Sequence, residues 1–212
     1  MLRHERAAWS NGILILAGID EAGRGPLAGP VVAAAACIPR EFLETEELRL
    51  LKDLTDSKQL TEARRETFFA LLTGESTIRH GIGRAEPGEI DALNILNATH
   101  LAMRRAVEAM AVAADLLLVD GRPVPGLPYP SQAIVKGDAQ SLLIAAASVL
   151  AKVTRDREMH ELDARHPGYG FAQHKGYGTA AHLAALRELG PSPVHRRTFA
   201  PVAAAMRSGT AA

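Results

Sequence analysis

Three short apolar stretches, each leading to an acidic residue, set the strongest limit on what this chain can fold into. Ile13 to Ile19 runs into Asp20-Glu21 ahead of the bend Ala22-Gly23-Arg24-Gly25-Pro26. Leu116 to Val119 ends at Asp120-Gly121, and Ser131 to Val135 leads through Lys136-Gly137 to Asp138. Read as strands, all three deliver a carboxylate. If those strands lie side by side, unpaired carboxylates about 4 Å apart repel by roughly 4 kcal/mol per pair at an effective dielectric of about 20. Cations, shared protons or distance must relieve that repulsion. Oxygen donors with no Cys or His alongside favour Mg²⁺ or Mn²⁺ over Zn²⁺, and Mg²⁺ typically rests on few carboxylates plus a substrate phosphate. Phosphoryl chemistry is therefore the leading reaction class.

The 212 residues, 47% of them hydrophobic, suffice for one core and would be cramped as two domains. A formal net charge of zero removes the argument that a strongly basic chain binds nucleic acid, so any such binding must use local patches. Cys37, the single cysteine, lies in an apolar stretch and reads as an inert buried thiol in a reducing compartment. Arg3 and Arg6 ahead of the first apolar run imitate a secretory leader, but that run ends in acids instead of a small-residue cleavage site. The longest later apolar stretch, Leu142 to Ala151, is too short to span a bilayer. A soluble, cytoplasmic protein is expected, a monomer by default, with no docking motif for a protein partner.

Pro30 to Cys37 reads as a second strand antiparallel to the first, and residues 40–60 are acidic and then loop-like. Thr61 caps a helix over 62–72, with Gly74 after its end. A third strand is expected over 76–84. Pro87-Gly88 breaks the chain before 89–111, where Ile90, Leu93, Leu96, Leu101, Val107 and Met110 recur at helical spacing in one or two helices. The strands at Leu116 and Ser131 follow, then a helix over about 141–163 and a last helix between Thr179 and Gly190-Pro191. The Ala-, Ser- and Gly-rich tail is expected to fray. Hairpin, strand, helices, strand, strand, helix make an α/β domain on a mixed sheet.

Each motif has an ordinary reading beside the functional one. Gly23 to Ala28 fits the spacing of a dinucleotide-binding loop, but Pro26 and Pro30 punctuate the segment and a β-like run follows where such a loop must start a helix. The glycines instead let a backbone approach a sugar-phosphate, with Arg24 adding charge. Consecutive strand residues point to opposite faces, so Asp20 and Glu21 share a site only where the strand bends. Asp120 is equally an Asp-Gly turn, and Asp138 a cap for the following helix. Ser148, Lys152 and Asp156 share one helix face, where a Lys-Asp pair is usually a solvated one; the basic stretch Lys152 to Arg157 could also face phosphates. Tyr177, between glycines and near Lys175, suits stacking on a nucleotide or packing at a loop. Lys58 in Asp56-Ser57-Lys58 offers a phosphate contact or closes a turn. His195-Arg196-Arg197 reads as a solvated charge group. No serine lies in a nucleophile elbow.

Together, Gly18 to Pro26, Asp56-Ser57-Lys58, Asp120-Gly121, Lys136-Gly137-Asp138, Ala147 to Asp156 and Gly170 to Tyr177 closely resemble bacterial ribonuclease HII, the type 2 ribonuclease H family, over about residues 14–201. The resemblance implies a ribonuclease H-like mixed sheet flanked by helices. It divides the single domain, residues 1–212, into a catalytic core over about 13–165, a helical extension over about 166–201 and a flexible tail over 202–212. It implies cleavage of the RNA strand of RNA–DNA hybrids and incision 5′ to single ribonucleotides in duplex DNA, by two Mn²⁺ or Mg²⁺ ions, leaving 5′-phosphate and 3′-hydroxyl ends. Asp20, Glu21 and Asp120 would carry the metals and Asp138 would complete the catalytic acids. Gly23, Arg24 and Gly25 would read the 2′-hydroxyl, Tyr177 would stack on the neighbouring deoxyribose, and Lys58 and Lys136 would contact substrate. Ser148, Lys152 and Asp156 are held as further candidates. Residues 41–53 are longer and more acidic than the family pattern leads one to expect.

Overall fold

The computed structural model describes residues 1–209. Its centre is a five-stranded sheet of β1 (Leu16–Ala22), β2 (Val31–Cys37), β3 (Arg79–Ala85), β4 (Leu116–Asp120) and β5 (Ser131–Ile134), in the order β3-β2-β1-β4-β5. β1 pairs antiparallel with β2 and parallel with β4; β2–β3 is antiparallel and β4–β5 parallel. The mixed sheet expected from the sequence is thus observed. β1 continues through Asp20 and Glu21 instead of stopping before them, because β2 supplies partners as far as Ala22.

Helices cover both faces. In chain order they are α1 (Arg3–Ser10), α2 (Arg40–Glu44), α3 (Glu62–Gly74), α4 (Pro87–Met110), α5 (Leu142–Arg165), α6 (Phe171–His174), α7 (Ala180–Leu189) and α8 (Ala200–Gly209). One core lies between the sheet and α5, where Leu16, Ala34 and Ala36 meet Leu143, Ala147 and Leu150. The other lies against α4, where Ala17, Ile19, Ala33 and Ala35 meet Ala102, Ala106 and Met110. The alternation of β1 therefore sends Asp20 toward α5 and Glu21 toward α4. Small residues bring the helices very close. A Cβ at Gly18 would strike the α5 backbone at Leu143, and one at Gly81 the α4 backbone at Ala106.

Three expected helix starts carry their caps. Thr61 Oγ1 accepts from Arg64 N at 3.3 Å, Ser141 Oγ from Ile144 N at 3.2 Å and Thr179 Oγ1 from His182 N at 3.2 Å. Pro87 and Gly88 form the first turn of α4 instead of preceding it, since a proline at the first helical position gives up an N–H that has no helical partner anyway. Asn94, at φ 66°, breaks α4 in two, and its Oδ1 recaps the second part by accepting from Leu96 N and Asn97 N at 3.0 and 3.1 Å.

Both ends depart from expectation. α1 was not legible, yet Glu5 is fully buried at the start of α5, where it accepts from Ser141 Oγ at 2.6 Å and Leu143 N at 3.2 Å. The expected flexible tail over 202–212 is helical through residue 209 in α8, whose Val202 is fully buried beside Leu27 and Leu186. Burying such a side chain is worth about 2 kcal/mol. Residues 210–212 of that expectation lie outside the described residues. Among the described residues no helix is long and apolar enough to cross a membrane.

Candidate active site

Parallel pairing sets Ile19 beside Val119, so β1 and β4 bring Asp20 and Asp120 to the same end of adjacent strands. The third acid arrives through a turn. Lys136 takes a left-handed conformation (φ 55°), and Gly137 N then donates to Asp120 Oδ1 at 2.6 Å, which ties the short helix holding Asp138 to the end of β4. Asp20 is 6% and Asp138 9% exposed. Burial, then the charges of Glu21 and Asp120, push the Asp20 carboxyl well above its usual range, against the Ser148 hydroxyl and the Glu21 N–H, which donates to Oδ1 at 2.7 Å. Burial, then Asp120 and Asp56, raise Asp138. Burial also raises Glu21, opposed by Arg24, whose Nη1 lies 3.0 Å from Glu21 Oε1.

This end of the sheet is thus short of positive charge. Lys58 stands in its field: burial works against its ammonium, but Asp56, Asp20, Asp138 and Asp120 outweigh it and raise its pKa. The donor set is all oxygen, which suits hard divalent ions. Among the described residues, no three of His, Cys, Asp and Glu form a ready coordination shell. An ion here could be held by one or two of Asp20, Glu21 and Asp120, with water and substrate oxygens completing it, as Mg²⁺ commonly is.

A cavity of about 270 Å³ opens beside Glu21 and is lined by Gly23, Arg24, Gly25, Ser57, Lys58, Ser148, Lys152, Arg155 and Tyr177. A second, of about 440 Å³, lies on the other side of Glu21 and Arg24 and reaches Asp120, His100 and Arg122. Most of the candidates therefore converge. Tyr177 is 48% exposed and faces Gly25, leaving its ring open to a ligand. Two candidates stand apart. Asp156 is spent on Lys152, with Oδ1 at 2.6 Å from Nζ, and does not line the cavity. Lys136 is exposed, and its backbone forms the turn before Asp138.

Sequence reasoning missed the supports. Ser57 Oγ lies 2.9 Å from Ser148 Oγ, linking the Lys58 loop to α5. Arg65 donates to Ser57 O and Leu60 O at 3.0 and 2.6 Å, and Asp56 Oδ1 closes the turn on Lys58 N at 2.9 Å. His195 and Arg196, read as solvated, are 1% and 0% exposed, and Arg155 in the stretch expected to face phosphates is 1% exposed. Arg155 could have been placed from its spacing, since Ala151, Arg155, Met159 and Leu162 form one buried stripe of α5.

The histidines behind Tyr177 have determinate protons. Ser192 N donates to His195 Nδ1 at 3.0 Å, so the His195 proton sits on Nε2 and points at His182 Nε2, 3.0 Å away. That leaves His182 Nδ1–H to donate to Tyr177 O at 2.9 Å. Gly176 N donates to His174 Nδ1 at 3.2 Å, and His174 Nε2 faces Tyr169 O at 2.8 Å. Burial, then His182, push His195 down to about 4, and burial also lowers His182.

The Ribonuclease HII family model matches residues 17–202. Ribonuclease HII of Desulfitobacterium hafniense (strain Y51) is 55% identical over 202 residues, which are 95% of this chain and 75% of that protein. Ribonuclease HII of Myxococcus xanthus (strain DK1622) is 52% identical over 206 residues, 97% of this chain and 68% of the relative. The crystal structure of ribonuclease H2 from Pyrococcus horikoshii OT3 superposes with a TM-score of 0.78 at 28% identity, covering 94% of this chain and all of that one.

Proposed function

This chain belongs to the ribonuclease HII family and is a nuclease with ribonuclease H activity, and from that premise we propose that it cuts the RNA strand of RNA–DNA hybrids and incises 5′ to single ribonucleotides in duplex DNA. The observation that carries the reading is the cavity that Glu21, at the end of β1, shares with the backbone of residues 23–25 and the open Tyr177 ring, with Asp120 at the adjacent end of β4 bordering the cavity on the other side of Glu21. Catalysis is assigned to residues 13–165, with the helical extension supplying Tyr177.

Asp20, Glu21 and Asp120 would hold two divalent ions, Mn²⁺ or Mg²⁺, and Asp138 would complete the acids. Bound there, such ions lower the pKa of an attacking water and offset charge on the departing 3′-oxygen. The chain's own groups set the substrate in place. Lys58 and Lys152 neutralise phosphates of the cut strand without reading sequence. The amides of residues 23–25 approach the ribose at its 2′-hydroxyl, the group that separates RNA from DNA. Tyr177 stacks on the next sugar and fixes the register of the strand. Attack on the phosphodiester 5′ to the ribonucleotide leaves 5′-phosphate and 3′-hydroxyl ends.

The test uses purified protein, Mg²⁺ and duplexes that differ by one ribonucleotide. Cutting confined to the ribonucleotide-bearing duplex and to hybrid is expected, falling as salt rises. Equal cutting of all-DNA duplex would point instead to a general nuclease.

A further inference from the structure

Two arginines that this chemistry leaves unused lie beneath the loop of residues 23–30. Neither Arg155 nor Arg196 joins a salt bridge among the described residues. Their donors go almost entirely to backbone carbonyls. Arg196 bonds Gly29 O (3.0 Å), Arg24 O (2.9 Å), Gly23 O (2.6 Å) and Pro30 O (3.2 Å). Arg155 bonds the same Pro30 O (3.1 Å), Ala28 O (3.3 Å) and, in the Tyr177 loop, Lys175 O (3.0 Å). The two loops are also joined directly, Leu27 N donating to Gly176 O at 2.8 Å, while Gly29 N donates at 2.9 Å to Val194 O in the segment that carries Arg196.

Burying a cation without a counter-charge is costly, and two side by side cost more; Arg196 is pushed down to about 9 by burial and then by Arg155. An apolar side chain would fill the space with no such penalty. What a guanidinium adds is a planar fork of fixed donors, able to hold several carbonyls at set angles. Contact is close enough that a Cβ at Gly23, which sits at φ +93°, would run into the Arg155 guanidinium.

We propose that Arg155 and Arg196 are positioning residues that lock the backbone of residues 23–25 against Tyr177 and thereby set the span over which a ribose and the deoxyribose after it are read together. The inference deepens the proposed function and rests on it. A uniform hybrid has no such step, so loosening the brace costs less there than at a single embedded ribonucleotide.

Arg196→Lys tests it, because lysine keeps the charge and loses the fork. Steady-state kcat and KM are measured on a single-ribonucleotide duplex and on uniform hybrid, with amide hydrogen exchange followed at Leu27 and Gly29. The expected result is a folded protein whose kcat falls at least about tenfold more on the single-ribonucleotide duplex than on hybrid, as misplacement by about 1 Å can cost 10²-fold. Exchange at Leu27 and Gly29 should quicken while β1 stays protected. An equal loss on both substrates with faster exchange throughout would mean a merely structural role, and an unchanged ratio with unchanged exchange would equally overturn the brace. Should Arg196→Lys not fold, Arg155→Lys is read the same way. Wild-type protein that cuts all-DNA duplex as fast as ribonucleotide-bearing duplex would defeat the proposed function instead, and exchange at Leu27 and Gly29 would still decide the brace.

Discussion

The acid end of the sheet and the arginine–histidine layer beneath the 23–30 loop are built on opposite rules. At the acid end, Asp20, Glu21 and Asp138 are all raised from their ordinary values, by burial first, and the repulsion is left standing. In the other layer His174, His182 and His195 each spend both ring nitrogens, and the guanidiniums of Arg155 and Arg196 are spread over carbonyls. A place that must accept a charged ligand stays unfinished; a place that must keep its shape is closed bond by bond.

The largest expected effect lies on the unfinished side. Asp120→Asn should lower cleavage by on the order of 10³-fold while hybrid binding, followed by fluorescence anisotropy, persists or tightens. If activity survived, the acid end would be no more than a polar strand end. On the closed side the corresponding change is in stability. Arg196→Met leaves the carbonyls of Gly23, Arg24 and Gly29 without their guanidinium partner, which should cost about 3 kcal/mol in urea unfolding.

Acid should drive the two regions in opposite directions. His195 has a folded pKa of about 4 against an ordinary 6.5, so the native state binds fewer protons than the unfolded chain. Its contribution to stability is complete above 6.5 and is lost as pH falls through about 4. Asp20 and Asp138 are raised, so they take up protons before the unfolded chain does, and acidification eases them. Replacing His195 by Gln should therefore make the acid loss of stability shallower by up to about one proton in the pH slope; an unchanged slope would show that the layer is not what acid breaks. The smallest effect is Asp20→Asn, which should stabilise the metal-free protein by about 1 kcal/mol and give a smaller rise in Tm with Mg²⁺ than the one expected for the wild type.

Much of this contrast was legible in the sequence, but unevenly. The acid end announced itself because apolar runs reveal strands and three of those runs led to a carboxylate. The caps Thr61 and Thr179 were equally readable, since each acts on a backbone N–H three residues ahead, whereas α5 is capped by Ser141 and not by Asp138. The closed layer was not, because a charged residue is taken by default to face water, and nothing local says that Arg196 will find four carbonyls from residues 23–30. Distance in the chain hid α1 in the same way: what holds it is Glu5 against Ser141 and Leu143, a contact no window of sequence contains. In α8 the small residues and glycine suggested fraying, whereas alanine is the best helix former and Val202 had a site waiting.

The close approach at Gly18 and Gly81 carries a consequence for how this molecule can fail. With α4 and α5 seated on bare backbone, the layers have no slack, and a single methyl at either position would act as a shim. The helix it lifts carries Ser148, Lys152 and Arg155 on one side, or His100 on the other, out of line with the acids. Inactivating lesions in such a chain would scatter deep into the sheet, among its least conspicuous residues.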